Sequence, residues 1–199
     1  MNKSIARMGK ITSILAGILL VCAHSVNLGG GEQGSVLGSL LVFVAHLLLV
    51  FAFFGLYTQQ GDGNGLLGFF AMLLGNIGNI IVTAIVFVEI AQASGEKIDH
   101  VFSTPVTEPI YSFGPLLFVL GMILVGVSMI RGKVFPAYSG YLLLIGTIVF
   151  AAASVSGDIQ KIIEVIGSLF TGAGFIVAGI KFEKLNAPSE FENSSVRGN

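Results

Sequence analysis

Apolar residues along this chain do not alternate with polar ones. They come in runs of roughly twenty, separated by short polar stretches. The runs cover about 11–28, 36–57, 66–90, 110–130, 138–157 and 162–180. Between them, "LGGGEQGS", "TQQGDGNG" and the longer "SGEKIDHVFSTPVTEP" carry the glycine, asparagine, proline and serine chemistry of turns. A helix needs about 20 consecutive apolar residues to cross a bilayer core. A transmembrane β-barrel would alternate apolar and polar positions over segments of about ten residues, and no segment here does. The pattern predicts an all-α membrane protein, a bundle of six transmembrane helices spanning residues 1–184, followed by a polar, disordered tail at 185–199.

Composition narrows this further. The chain of 199 residues is 54% hydrophobic and 11% charged, with a mean hydropathy of +0.90. Soluble domains carry about 25% charged residues, so there is too little charge here to coat a globule in water. The net charge is −1 and no Lys/Arg cluster suits a polyanion, so nucleic acid is not expected as a partner. The single cysteine, Cys22, excludes an intrachain disulfide.

Basic residues set the expected orientation, because cytoplasmic loops carry the excess of Lys and Arg. With the N-terminus in the cytoplasm, Lys3, Arg7, Lys10, Arg131, Lys133, Lys181, Lys184 and Arg197 fall inside, and only Lys97 and Lys161 fall outside. This predicts N-in and C-in. Tyr57, Tyr111, Tyr138 and Tyr141 all sit at span ends, where interfacial aromatics belong. Pro115 is expected in the first turns of span 4, where a missing amide costs little. "MNKSIARMGK" resembles a signal-peptide n-region, but cleavage would cost a span and put the C-terminal basic cluster outside.

The polar positions inside the spans are the candidate chemistry. In "LLGNIGNIIV" (73–82), two glycines and two asparagines interrupt an oily run. At 100° per residue, Gly75, Asn76, Asn79, Thr83 and Glu89 share an arc of about 140°. Lipid cannot satisfy an amide, so this arc should face protein or a wet cavity. Interhelical bonding is the commoner use of such residues, and a solute or ion site is the alternative. Span 1 carries Ser13, Gly17, Leu20, His24 and Asn27 on one stripe, and span 6 carries Glu164, Gly167, Thr171, Gly174 and Ala178. His24, Glu89 and Glu164 all fall toward the outer leaflet, near Glu32, Glu96, Asp99, Glu108 and Asp158. An outward-opening acidic vestibule follows as an expectation, able to attract a cation, a proton or an amine.

His46 lies deeper, on span 2. His24 and His46 are the only weak candidates for cofactor ligands. Their depths differ by about 9 Å, and a haem needs both axial ligands aimed at one iron. Haem is therefore not expected, and no cofactor or metal is predicted. HExxH, CxxC, GxSxG and P-loop motifs are absent. An enzyme reading therefore rests on the outer His/Glu/Asp grouping alone, and a non-enzyme is the stronger expectation.

"HLLLVFAFFGLY" (46–57), "GLLGFFAMLLGNIGN" (65–79), "VFVEIA" (86–91) and "GPLLFVLGMILVGVSMIRGKVFPAYSGYLLLIGTIV" (114–149) cover about half the chain. In their order they resemble a loosely defined set of small bacterial integral membrane proteins of six or so helices. The resemblance implies a multi-pass protein of the bacterial cytoplasmic membrane and assigns no functional residue. The expectation for function is handling of a small solute, ion or proton through an outward-facing cavity lined by spans 1, 3 and 6. Asn76, Asn79 and Thr83 would supply the mid-membrane contacts, with Glu89, Glu164 and His24 as the titratable gate. The alternatives are an accessory subunit of a membrane complex, or a homo-oligomer, whose polar stripes only pack helices, and a membrane enzyme or haem-binding protein working at the outer face.

Overall fold

The structure is a computed structural model that describes residues 3–31, 34–98 and 100–186. Six α-helices follow one another: α1 Lys3–Leu28, α2 Val36–Gln60, α3 Gly65–Ala93, α4 Thr107–Gly132, α5 Ala137–Ala153 and α6 Gln160–Asn186. Single 3-10 turns, Gly61–Asn64 and Gly157–Ile159, lead into α3 and α6. The described residues contain no β-strand, only an isolated bridge between Gly31 and Gly34. All six runs read from the sequence became helices.

Five of the helices are long and apolar enough to cross a membrane, and α5 is a shorter apolar helix of 17 residues. At 1.5 Å per residue α5 is about 26 Å long, somewhat less than a hydrocarbon core of about 30 Å. The sequence had placed the end of this run at 157. The helix stops earlier because the hydroxyls of Ser154 and Ser156 turn back onto the carbonyls of Ala151 and Ala152, at 2.8 and 2.5 Å, and Gly157 takes a left-handed φ of 55°. At the other extreme, α6 continues through Asn186, past the expected start of the tail; residues 187–199 lie outside the described part. Helix α4 begins at Thr107, so Pro115 stands more than two turns inside it. There the missing amide leaves the carbonyl of Tyr111 without its i+4 donor.

Each helix packs against its neighbours in sequence, and α6 returns to pack against α1. The result is an up-and-down ring of six. Glycines bring the backbones together at four of these contacts: Gly9 with Gly55, Gly17 with Gly172, Gly75 with Gly121, and Gly126 with Gly140. Such small-residue crossings are how helices associate in lipid, where burial of apolar surface gives no net advantage over acyl chains. The centre is filled by Leu49, Phe53, Met122, Met129, Leu143 and Phe175. Phe53 packs edge-on against Phe118 of α4 and Phe175 of α6, with ring centres 6.4 and 6.1 Å apart. Large apolar side chains also cover the outside, among them Leu66 at 77% and Phe87 at 64% exposure. An outer surface of this kind suits acyl chains and not water.

The up-and-down order gathers the start of α1, the end of α2, the start of α3, the end of α4, the start of α5 and the end of α6 at one end of the ring. Arg7, Lys10, Arg131, Lys133 and Lys181 lie at this basic end, and Lys97 and Lys161 lie at the other.

Candidate functional site

The arc of α3 faces protein, as its polar residues require. Gly75, Asn76 and Asn79 are buried and Thr83 and Glu89 partly so. Its members meet different partners, because residues one helical turn apart still diverge around a bundle. Gly75 and Gly78 lie against α4: a methyl group on Gly78 would strike the backbone of Phe118, and one on Gly121 would strike that of Gly75. Asn79 instead points at α2. Its amide nitrogen donates to the carbonyl oxygen of His46 at 2.7 Å, and its amide oxygen lies 2.7 Å from Nδ1 of the His46 ring.

These two contacts fix the imidazole. A carbonyl oxygen only accepts, so the Asn79 nitrogen must be the atom facing it, and the Asn79 oxygen is left to face the ring. That oxygen accepts in turn, so Nδ1 of His46 must carry a proton. Neutral His46 is therefore the Nδ1–H tautomer, with its Nε2 lone pair free of this contact. The ring leans on Phe118, with ring centres 5.3 Å apart.

Asn76 and Thr83 bond within their own helix. The Asn76 nitrogen donates to the carbonyl of Met72 at 3.0 Å, and the Thr83 hydroxyl donates to the carbonyl of Asn79 at 2.7 Å. The Asn76 oxygen is buried and has no hydrogen-bond partner, as do the hydroxyls of Ser13 on α1 and Thr171 on α6.

Toward the other end of the ring the titratable residues converge. His24 on α1 and Glu164 on α6 lie 3.6 Å apart, with side chains 12% and 23% exposed. His24 packs against Phe150 of α5, with ring centres 4.8 Å apart in an edge-on arrangement. Glu164 also accepts from the Gln160 side chain at 2.8 Å. Glu89 on α3 lies within electrostatic reach of both Glu164 and His24. His24 is in electrostatic reach of His46 as well. Of the three residues expected as a gate, His24 and Glu164 are thus in contact, with Glu89 within electrostatic reach of the pair. Asn79 is bound instead to His46 of α2, outside the residues expected as a solute or ion site. Among the described residues, no group of three His, Cys, Asp or Glu side chains is arranged to hold a metal ion.

The loop above this group is tied down locally. Asn27, expected on the interior stripe of α1, accepts from the Ser35 amide at 2.9 Å, and Ser35 caps α2 by accepting from the Gly38 amide at 3.0 Å. The Lys161 ammonium donates to the carbonyls of Gly30, at 3.0 Å, and Gly31. Glu96, Glu108 and Asp158 are exposed; Glu32 and Asp99 lie outside the described residues.

A second polar knot, at the basic end, was not anticipated from the sequence. Gln60, Asn64 and Ser128 are buried together. The Ser128 hydroxyl reaches the side-chain oxygens of Gln60, at 3.2 Å, and Asn64, at 3.4 Å, and the Asn64 nitrogen donates to the carbonyl of Tyr57 at 2.5 Å. "TQQGDGN" reads as a hydrated connection. The signal that could have exposed the knot is the i, i+4 spacing of Gln60 and Asn64, which a continuous helical turn places on one side.

No family model, no curated protein and no solved structure matches the chain.

Proposed function

We propose that this protein handles protons or a small cation through a titratable group set within the ring of helices. The observation that carries this reading is the contact of His24 on α1 with Glu164 on α6, with Glu89 of α3 within electrostatic reach of both. Ionisable side chains within membrane-spanning helices are costly and are characteristic of ion and proton pathways. Here two carboxylates and an imidazole lie within electrostatic reach of one another, partly buried, a combination that can exchange a proton and attract a cation. His46, with its tautomer set by Asn79, lies deeper and supplies the next proton-accepting nitrogen. The basic end of the ring faces the cytoplasm under the positive-inside rule, so the His24 group opens to the outer face of a bacterial cytoplasmic membrane.

Purified protein reconstituted into liposomes with an entrapped pH-sensitive dye tests this. An imposed potential should drive dye-reported proton or cation flux above that of empty liposomes, and Glu89→Gln or Glu164→Gln should remove most of it. Wild-type flux equal to that of empty liposomes, or a folded Glu89→Gln protein as active as wild type, would overturn the reading.

The second reading is a packed accessory subunit without transport. The reciprocal Asn79–His46 contact favours it, because it uses the most polar mid-helix residues as a helix-to-helix bond. Co-purification with a membrane partner that is lost on Asn79→Leu, together with absent flux, would decide for it.

A further inference from the structure

An open surface depression of about 420 Å³ lies at the basic end, between the 3-10 turn, the first turn of α3 and the last turn of α4. We propose that it binds the phosphate of an anionic phospholipid headgroup. This does not depend on the proton-handling reading, since it concerns the opposite end of the ring and different residues.

The wall of the depression has two characters. Asn64 and Ser128 give it a buried polar floor, held in place by the bonds to Gln60 and Tyr57. Arg131 lines it and is exposed, and no carboxylate whose side chain is described pairs with it. A guanidinium presents a fork of donors that matches phosphate oxygens. The first turn of α3 lines the depression too, and Asn64 makes no side-chain cap to it. Its leading amides are the kind that attract an anion.

The other wall is Leu66 and Leu67, the first of which is 77% exposed on the apolar outside of the ring. A free phosphate has no use for that surface. A phospholipid does, because its acyl chain can run along the leucines while its phosphate sits at Arg131. Lys133, at the end of α4, adds a second cation at this end. The chemistry shared by both sources is a phosphate oxyanion, and the leucine wall selects the lipid.

The test is native mass spectrometry of the full chain in detergent, titrated separately with phosphatidylglycerol, phosphatidylcholine and inorganic phosphate. Wild-type protein should bind one phosphatidylglycerol at lower concentration than phosphatidylcholine, with inorganic phosphate not competing. Arg131→Gln removes the charge-assisted bonds and should weaken phosphatidylglycerol binding about tenfold or more. Arg131→Lys keeps a charge at the end of α4 and should lie between the two. Equal binding of the two lipids by wild type overturns the proposal without any variant. Displacement by inorganic phosphate overturns the assignment to lipid. Unchanged phosphatidylglycerol binding in folded Arg131→Gln or Arg131→Lys shows that Arg131 serves only the end of its own helix, and also overturns it.

Discussion

Asn79 and His46 hold each other by two bonds at once: the asparagine donates to the histidine backbone and accepts from the histidine ring, both at 2.7 Å. One side chain thereby joins α3 to α2 and selects the tautomer of a buried imidazole. Asn79→Leu strands the Nδ1–H of His46 and removes the extra donor to its helical carbonyl. Single interhelical bonds in membranes are worth about 0.6 kcal/mol on average, and a stranded buried donor costs about 1–3 kcal/mol. A loss of about 1–3 kcal/mol is expected, measured by thermal or denaturant unfolding in detergent. The double variant His46→Phe/Asn79→Leu should lose less than the sum of the two single variants, because nothing polar is left stranded. Strict additivity would show that the two side chains are not coupled.

Gly121→Ala should be among the most damaging single-methyl additions, because the new Cβ would meet the backbone of Gly75 and no flexible side chain could move aside. Overpacking of this kind costs about 1–3 kcal/mol. Gly31→Ala is the control: nothing lies within 4 Å of the added methyl, and its effect should stay within about 0.5 kcal/mol. Unfolding midpoints of the two proteins in the same detergent make the comparison.

Lys161 and Asn27 secure the α1–α2 connection from opposite sides, one through the carbonyls of Gly30 and Gly31 and the other through Ser35. Lys161→Met should leave global stability nearly unchanged while raising hydrogen exchange at Gly30, Gly31, Gly34 and Ser35. Unaltered exchange there would mean the loop does not depend on the lysine. This separates local opening from global unfolding.

Ser128→Ala removes the hydroxyl that touches both Gln60 and Asn64. A loss of about 1 kcal/mol is expected, read from unfolding in detergent. It should be accompanied by faster exchange at the start of α3, where Asn64 would lose one of its anchors.

Much of the fold was legible because a bilayer demands long apolar helices and tolerates little else. Every run read from the chain is a helix, and the ends that moved did so through local polar chemistry. Ser154 and Ser156 shortened α5 by capturing its last carbonyls, and their i−3 and i−4 bonds compete with helix continuation in a way hydropathy does not register. The candidate site was legible in part. Periodicity placed Asn76, Asn79, Thr83 and Glu89 on an inward face, and threading placed His24, Glu89 and Glu164 at one level. Neither could say which helices are neighbours. The pairing of Asn79 with His46 depends on α2 and α3 being adjacent, and the pairing of His24 with Glu164 depends on the ring closing between α1 and α6. The knot of Gln60, Asn64 and Ser128 was hidden for the same reason, since Ser128 lies more than sixty positions further along the chain.

That closure has a consequence for the order of the chain itself. A methyl on Gly179 of α6 would meet Ile14 and the carbonyl of Lys10 on α1, so the first and last helices are neighbours like any other pair. The bundle is a loop of helices that the chain happens to cut between α6 and α1. A circular permutant, with the end of α6 joined to the start of α1 by a flexible linker and new ends opened in the connection at 94–106, would keep every helix contact. It should insert and fold with the same titratable group assembled inside.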